Sequence, residues 1–221
     1  TPLKPDGWEF NKLIPLSTPL QVNDLRWHNN RELTKEIIRS AFAGQNEEGL
    51  LLCTYVNETF RSYANYMIWS IWLFYLLDGD KDFIRSLVPR MKKYIHGHEK
   101  VYTDSRDHLL IEEDHGLTGK EFQPSYWYFC GYPDNVEGLK HYTPLKRVDR
   151  SVYHYLNLCG LSNLLRTLGD SEYAVYQQKA EQLRESINQK MWDPETEYYY
   201  DLHYKTDQKA LVRNIVGVYP F

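Results

Sequence analysis

Tyr63-Ala-Asn-Tyr-Met-Ile-Trp-Ser-Ile-Trp-Leu-Phe-Tyr-Leu-Leu77 is the key to the architecture. The stretch has no charge, proline or glycine, and wound into a helix it is apolar on nearly every face. Such a helix must touch protein on all sides. It is too short, and too polar at its start, to span a bilayer, so it reads as an element buried within a larger protein. Asp78-Gly-Asp80 closes it and caps a following helix, in which Phe83, Ile84, Leu87, Val88, Met91, Tyr94 and Ile95 recur at helical spacing between Lys and Arg. Pro89 is expected to kink or split that second helix.

The same alternation continues on both sides. Upstream, residues 31–44 form a one-faced helix through Leu33, Ile37, Ile38, Ala41 and Phe42. Downstream, residues 151–168 are again apolar almost all round, and Gly169-Asp-Ser171 stops that helix and caps a one-faced fifth over 172–190. Fully apolar helices alternating with one-faced ones describe two concentric layers, in the order outer, inner, outer, inner, outer. Trp192-Asp-Pro-Glu-Thr-Glu-Tyr-Tyr-Tyr-Asp201 then predicts a turn and a short hairpin. Residues 1–27, with prolines at 2, 5, 15 and 19, read as an extended lead-in or linker to a domain over 28–221. Residues 97–148 show no sustained period, and an irregular connection this long is more often functional than idle.

Composition narrows the function. A net charge of −4, with Asp+Glu 30 against Lys+Arg 26, offers no basic stripe for a phosphate backbone, so no nucleic-acid partner is expected. No apolar run spans a bilayer, so no membrane partner is expected either. Cys53, Cys130 and Cys159 are odd in number and far apart, which suits neither a zinc site nor a disulfide framework. The histidines lack a recognisable third-ligand spacing, and no metal or cofactor is expected. The 19 Tyr, 6 Trp and 8 Phe stand out: their flat faces stack on sugar rings, although core filling explains any one of them equally well.

Three stretches resemble the catalytic domains of (α/α)6 glycosidases, namely glycoside hydrolase family 63 glucosidases and the mannosylglycerate hydrolase-like and trehalase-like enzymes. Tyr66 to Asp80 is similar to an inner helix leading into a TGD turn. Asp114-His-Gly-Leu-Thr-Gly-Lys-Glu-Phe-Gln-Pro-Ser125 looks like the loop that carries the general acid. Arg147-Val-Asp-Arg-Ser-Val-Tyr-His-Tyr155, Leu168-Gly-Asp170 and residues 192–201 together are similar to an inner helix, an outer helix and a hairpin. The resemblance implies an all-α fold, a partial (α/α)6 toroid of the six-hairpin glycosidase type, and an inverting α-glycosidase acting on a carbohydrate. It implies Glu121 as the general acid. A complete toroid has twelve helices and its base lies near the C-terminus, so the remainder of a catalytic domain, or self-association, is the expected partner.

Glycoside cleavage needs one carboxylic acid to protonate the leaving oxygen and a second carboxylate to activate water. Aromatic walls such as Phe122 and Trp127 can keep Glu121 protonated by desolvation; the bland alternative is a solvated loop glutamate. Asp114 is a candidate for sugar hydroxyls or a member of a solvated acidic turn, Glu112 to Asp114. Arg147 and Asp149, where an inner helix begins, can hold a substrate hydroxyl or carboxylate, or the aspartate can cap the helix. Tyr63, Tyr66 and Trp69 can line a sugar site or pack a core. Two other classes compete: a sugar epimerase or polysaccharide lyase with His or Tyr bases, and a non-catalytic carbohydrate-binding helical module.

Overall fold

Glycine and aspartate divide the helices as the sequence predicts. The computed structural model describes residues 14–54, 60–113, 119–120, 122–132 and 142–221. Its helices are α1 (Thr18–Leu25), α2 (Arg31–Ala43), α3 (Met67–Asp78), α4 (Lys81–Tyr102), α5 (Ser125–Tyr128), α6 (Val148–Leu168) and α7 (Tyr173–Ser186). Short strands are β1 (Cys53–Thr54), β2 (Phe60–Arg61), β3 (Ile111–Glu112), β4 (Leu145–Lys146), β5 (Trp192–Asp193), β6 (Tyr198–Tyr199) and β7 (Leu202–His203). Two compact units result, one of residues 1–101 and 156–180, the other of residues 102–155 and 181–221.

In the first unit, α3 ends at Gly79, whose φ of 72° is the left-handed conformation that lets its N–H reach back to the Tyr75 carbonyl at 2.8 Å. Asp80 Oδ1 then accepts from the N–H groups of Asp82 and Phe83, capping α4. Gly169 repeats the device at the end of α6 with φ 74°, and Asp170 accepts from the Glu172 N–H. Asn157 on α6 completes the start of α3, accepting from the Ile68 N–H at 2.9 Å and donating to the Asn65 carbonyl at 2.8 Å. Gly160 allows the two backbones to meet: a Cβ there would lie 2.9 Å from the Ile68 oxygen and the Trp69 Cα. Around this contact Met67, Ile68, Ile71 and Phe74 of α3 and Leu158, Leu161, Leu164 and Leu165 of α6 are buried.

Two expectations change here. Residues 18–25, read as part of an extended lead-in, form α1, because Pro19 sits in the first turn, where its fixed φ suits a helix and its missing N–H costs nothing. Pro89 does not split its helix: α4 runs from Lys81 to Tyr102, held by Phe83, Ile84, Leu87, Met91, Tyr94 and Ile95 packed into the core. Burial of that stripe outweighs one missing hydrogen bond.

In the second unit, β3, β4 and β7 form an antiparallel sheet with Glu112 opposite Leu145 and Lys146 opposite Leu202. The predicted hairpin is present as β5 and β6, with Trp192 opposite Tyr199 and the turn held by Asp193 Oδ1 accepting from the N–H groups of Glu195 and Thr196. Tyr126, Trp127 and Leu145 make a buried cluster flanked by Phe129 and Tyr142. Residues 97–102, expected to open an irregular connection over 97–148, are the end of α4; among the described residues the rest of that stretch holds α5, β3 and β4 within loops, and α6 begins at Val148, three residues earlier than its apolar pattern suggests.

Candidate active site

Within the second unit, Arg147 follows directly on β4 and the first turn of α6 delivers Asp149 and Arg150; all three are fully enclosed. An enclosed guanidinium must find an acceptor for each N–H, since each one left over would carry the full cost of desolvation. Arg147 does so. Its Nε donates to Asp149 Oδ1 at 3.3 Å, Nη1 to Ser125 Oγ at 3.0 Å and Asp201 Oδ2 at 2.6 Å, and Nη2 to Gln123 Oε1 and, at 3.5 Å, to Asp149 Oδ2. The guanidinium carbon lies 4.5 Å from the centroid of the Tyr126 ring. One side chain therefore ties the 123–126 segment, the head of α6 and the end of the hairpin segment together.

Asp149 is equally occupied. Beyond its two contacts with Arg147 it accepts from the Arg150 N–H at 2.9 Å and pairs with Lys120 Nζ at 3.1 Å. Burial pushes its carboxyl up, but the charges of Arg147 and Lys120 overcome this and leave its pKa lowered to about 2. Asp201 accepts from Ser125 Oγ at 2.7 Å and the Val148 N–H at 2.9 Å as well as from Arg147. Its pKa is raised: burial dominates, Arg147 opposes it, and the neighbouring Asp149 charge reinforces it. The difference is physical, because Asp149 has two cations and Asp201 shares one.

A second buried pair stands beside this network. Arg150 donates from Nε to Glu112 Oε2 at 2.6 Å, and its guanidinium lies 4.1 Å from the Tyr102 ring centroid. Glu112, read as part of an acidic turn or a sugar ligand, is thus enclosed and ion-paired. Among the described residues here, the cations Lys120, Arg147 and Arg150 face the carboxylates Glu112, Asp149 and Asp201, so the charges are closely balanced.

Glu121 and Asp114 lie outside the described residues. The neighbours of Glu121 on either side are described. Lys120 places its ammonium near the rings of Tyr153 and Tyr219, at 5.0 and 5.5 Å from their centroids. Phe122 has a left-handed backbone, φ 64°, uncommon for a bulky residue, and stacks on Trp127 at 6.3 Å with the rings 15° apart. Trp127 itself is buried in α5. Tyr63, Tyr66 and Trp69 belong to the first unit: Tyr66 is the N-cap of α3, and Trp69 adjoins Gly160. Gln123, Ser125 and Lys120 are not singled out by sequence reasoning. Their only signal is position, close to the candidate acid; Asp201 appears there solely as the end of the hairpin pattern.

The sequence matches, over residues 11–221, the family described as the mannosylglycerate hydrolase MGH1-like glycoside hydrolase domain. No curated protein matches it. Among solved structures, the family 63 mannosylglycerate hydrolase from Thermus thermophilus in complex with glucose is similar at a TM-score of 0.73 and 13% identity, over 92% of this chain and 62% of that one. Neutral trehalase from Saccharomyces cerevisiae is similar at 0.69 and 15% identity, over 97% and 50%. A sialidase is similar at 0.72 and 18% identity, over 99% and 19%. The chain therefore spans about 62% of the length of the mannosylglycerate hydrolase. Likeness at such identities shows the fold: an all-α, partial (α/α)6 toroid of the six-hairpin glycosidase type.

Proposed function

Because the chain belongs to the mannosylglycerate hydrolase MGH1-like family of glycoside hydrolase domains, we propose that it cleaves a glycosidic bond with inversion and that Glu121 is the general acid. In that reaction the Glu121 carboxyl gives its proton to the glycosidic oxygen as the C–O bond breaks. A water attacks the anomeric carbon from the opposite face and loses its proton to a second carboxylate. The products are an alcohol and a sugar of inverted configuration, and the acid is reset from solvent.

The observation that carries this reading is the fixing of the residues around position 121. Lys120 is paired with buried Asp149, Phe122 stacks on Trp127, and Gln123 and Ser125 are bound to Arg147. A proton donor must be held within hydrogen-bond reach of one oxygen, and a buried ionic frame of this kind is a means of holding it. Arg147 and Asp149, with their donors and acceptors directed at protein, serve as that frame. Trp127 and Asp114 are proposed as sugar contacts.

The test is a hydrolysis screen of the full-length protein against α-glucosides, α-mannosides and α-rhamnosides, with Glu121→Gln beside it and the product anomer followed by NMR. A loss in kcat of about 100-fold or more and an inverted first product are expected. A loss below about tenfold would remove Glu121 from the acid role. A retained anomer would remove the inverting mechanism.

A further inference from the structure

We propose that Lys120 is a positioning residue for the proton donor, anchored by Asp149 and bracketed by Tyr153 and Tyr219. The proposal rests on Glu121 being the acid and adds the means by which its place is set.

A lysine in a loop ordinarily keeps most of its rotamer freedom, because four torsions separate its charge from the backbone. Among the described residues, three groups constrain Lys120. Its Nζ is 3.1 Å from Asp149 Oδ2, and the rings of Tyr153 on α6 and Tyr219 lie at 5.0 and 5.5 Å. Each cation–π contact is stronger in a partly desolvated place than in water, and the ion pair adds to it. Only 16% of the side chain is exposed, which strengthens all three contacts by removing competing water.

The anchor is itself held fast. Asp149 is wholly enclosed and accepts from Arg147 Nε, Arg147 Nη2 and the Arg150 N–H, so it cannot turn to follow a wandering lysine. Lys120 is bonded directly to Glu121, so a fixed ammonium restricts the backbone from which the acid extends. A displacement of about 1 Å at such a site can lower a rate 10²-fold. Of the charged members of the frame, Lys120 is the one joined to the acid by a peptide bond, and it is partly exposed and open to substitution.

The experiment uses the full-length protein and two substrates of the best sugar from the screen, a methyl glycoside and a 2,4-dinitrophenyl glycoside. The alkoxide of the first needs a proton to leave; the phenolate of the second does not. For Lys120→Met, kcat on the methyl glycoside is expected to fall about 30- to 100-fold, with about threefold or less on the dinitrophenyl glycoside and KM nearly unchanged. Lys120→Arg, which keeps the charge for Asp149 and the rings, is expected to restore most of the loss. The ratio of the two rates does not depend on the fraction folded, so partial unfolding cannot imitate the result. Equal losses on both substrates, or no loss on either, overturn the proposal. Glu121→Gln on the same pair separates the two claims: if it is leaving-group dependent and Lys120→Met is not, only the positioning role fails. If Glu121→Gln is not leaving-group dependent, the acid assignment itself fails.

Discussion

Arg147 shows how much one residue can carry when it is enclosed. Its donors reach Gln123, Ser125, Asp149 and Asp201, residues that come from three segments far apart in the chain. Removing one partner from a buried charge network costs more than the network contributes, because the remaining charges lose their compensation. Arg147→Met is expected to destabilise the protein by about 3–5 kcal/mol in urea unfolding, and Arg147→Lys to recover little, since one ammonium cannot reproduce a planar fork. Asp201→Asn should cost less, because Asp149 still balances the guanidinium and the Asp201 charge is already disfavoured by burial. Equal costs for Arg147→Met and Asp201→Asn would show that the charge balance described for this network is wrong.

Between elements, the contact of α3 with α6 is made at backbone distance. Gly160 permits it, and Asn157 adds two hydrogen bonds to the start of α3. In Gly160→Ala the new methyl would meet the Ile68 oxygen and Trp69 backbone at 2.9 Å, atoms that cannot rotate aside. We expect a loss of about 1–3 kcal/mol and a lower melting temperature, although alanine favours a helix over glycine by about 1 kcal/mol. An unchanged or raised melting temperature would mean the helices separate easily. The apolar pattern reads both helices as inner ones. It could not show where they touch, since a glycine contributes nothing to hydropathy periodicity. Likewise the start of α6 at Val148 depends on Asp201 accepting the Val148 N–H, a partner from 53 residues downstream.

For the protein taken together, the carboxylates set the response to acid. The Asp104 pKa is lowered by its hydrogen bonds from Arg106, against the effect of burial and with help from Lys146. For Asp207, burial is overcome by Lys146 and Lys190, and for Asp149 by Arg147 and Lys120. A carboxylate lowered in the folded state contributes stability above its unfolded value, near 3.9, and loses it as pH falls through the folded value. Through these groups the urea midpoint should therefore fall between about pH 4 and 2, the latter being the Asp149 value. Asp201, raised, works in the opposite sense, at pH values above the unfolded one. A midpoint that held steady or rose on acidification would contradict the assignment of these three groups.

Neighbours along the chain were enough to fix the helical class, the turns at Gly79 and Gly169 and the hairpin at 192–199. The split expected at Pro89 does not occur because a proline's cost is local while the burial that offsets it is not, and residues 18–25 read as extended although a proline in a first turn costs nothing. It took the folded chain to reveal that Arg147, Asp149 and Glu112 are enclosed and paired, and that Lys120 stands beside two tyrosines. The reason is range: a charge reads the same in sequence whether water or an opposite charge surrounds it, and its partners here are supplied by folding.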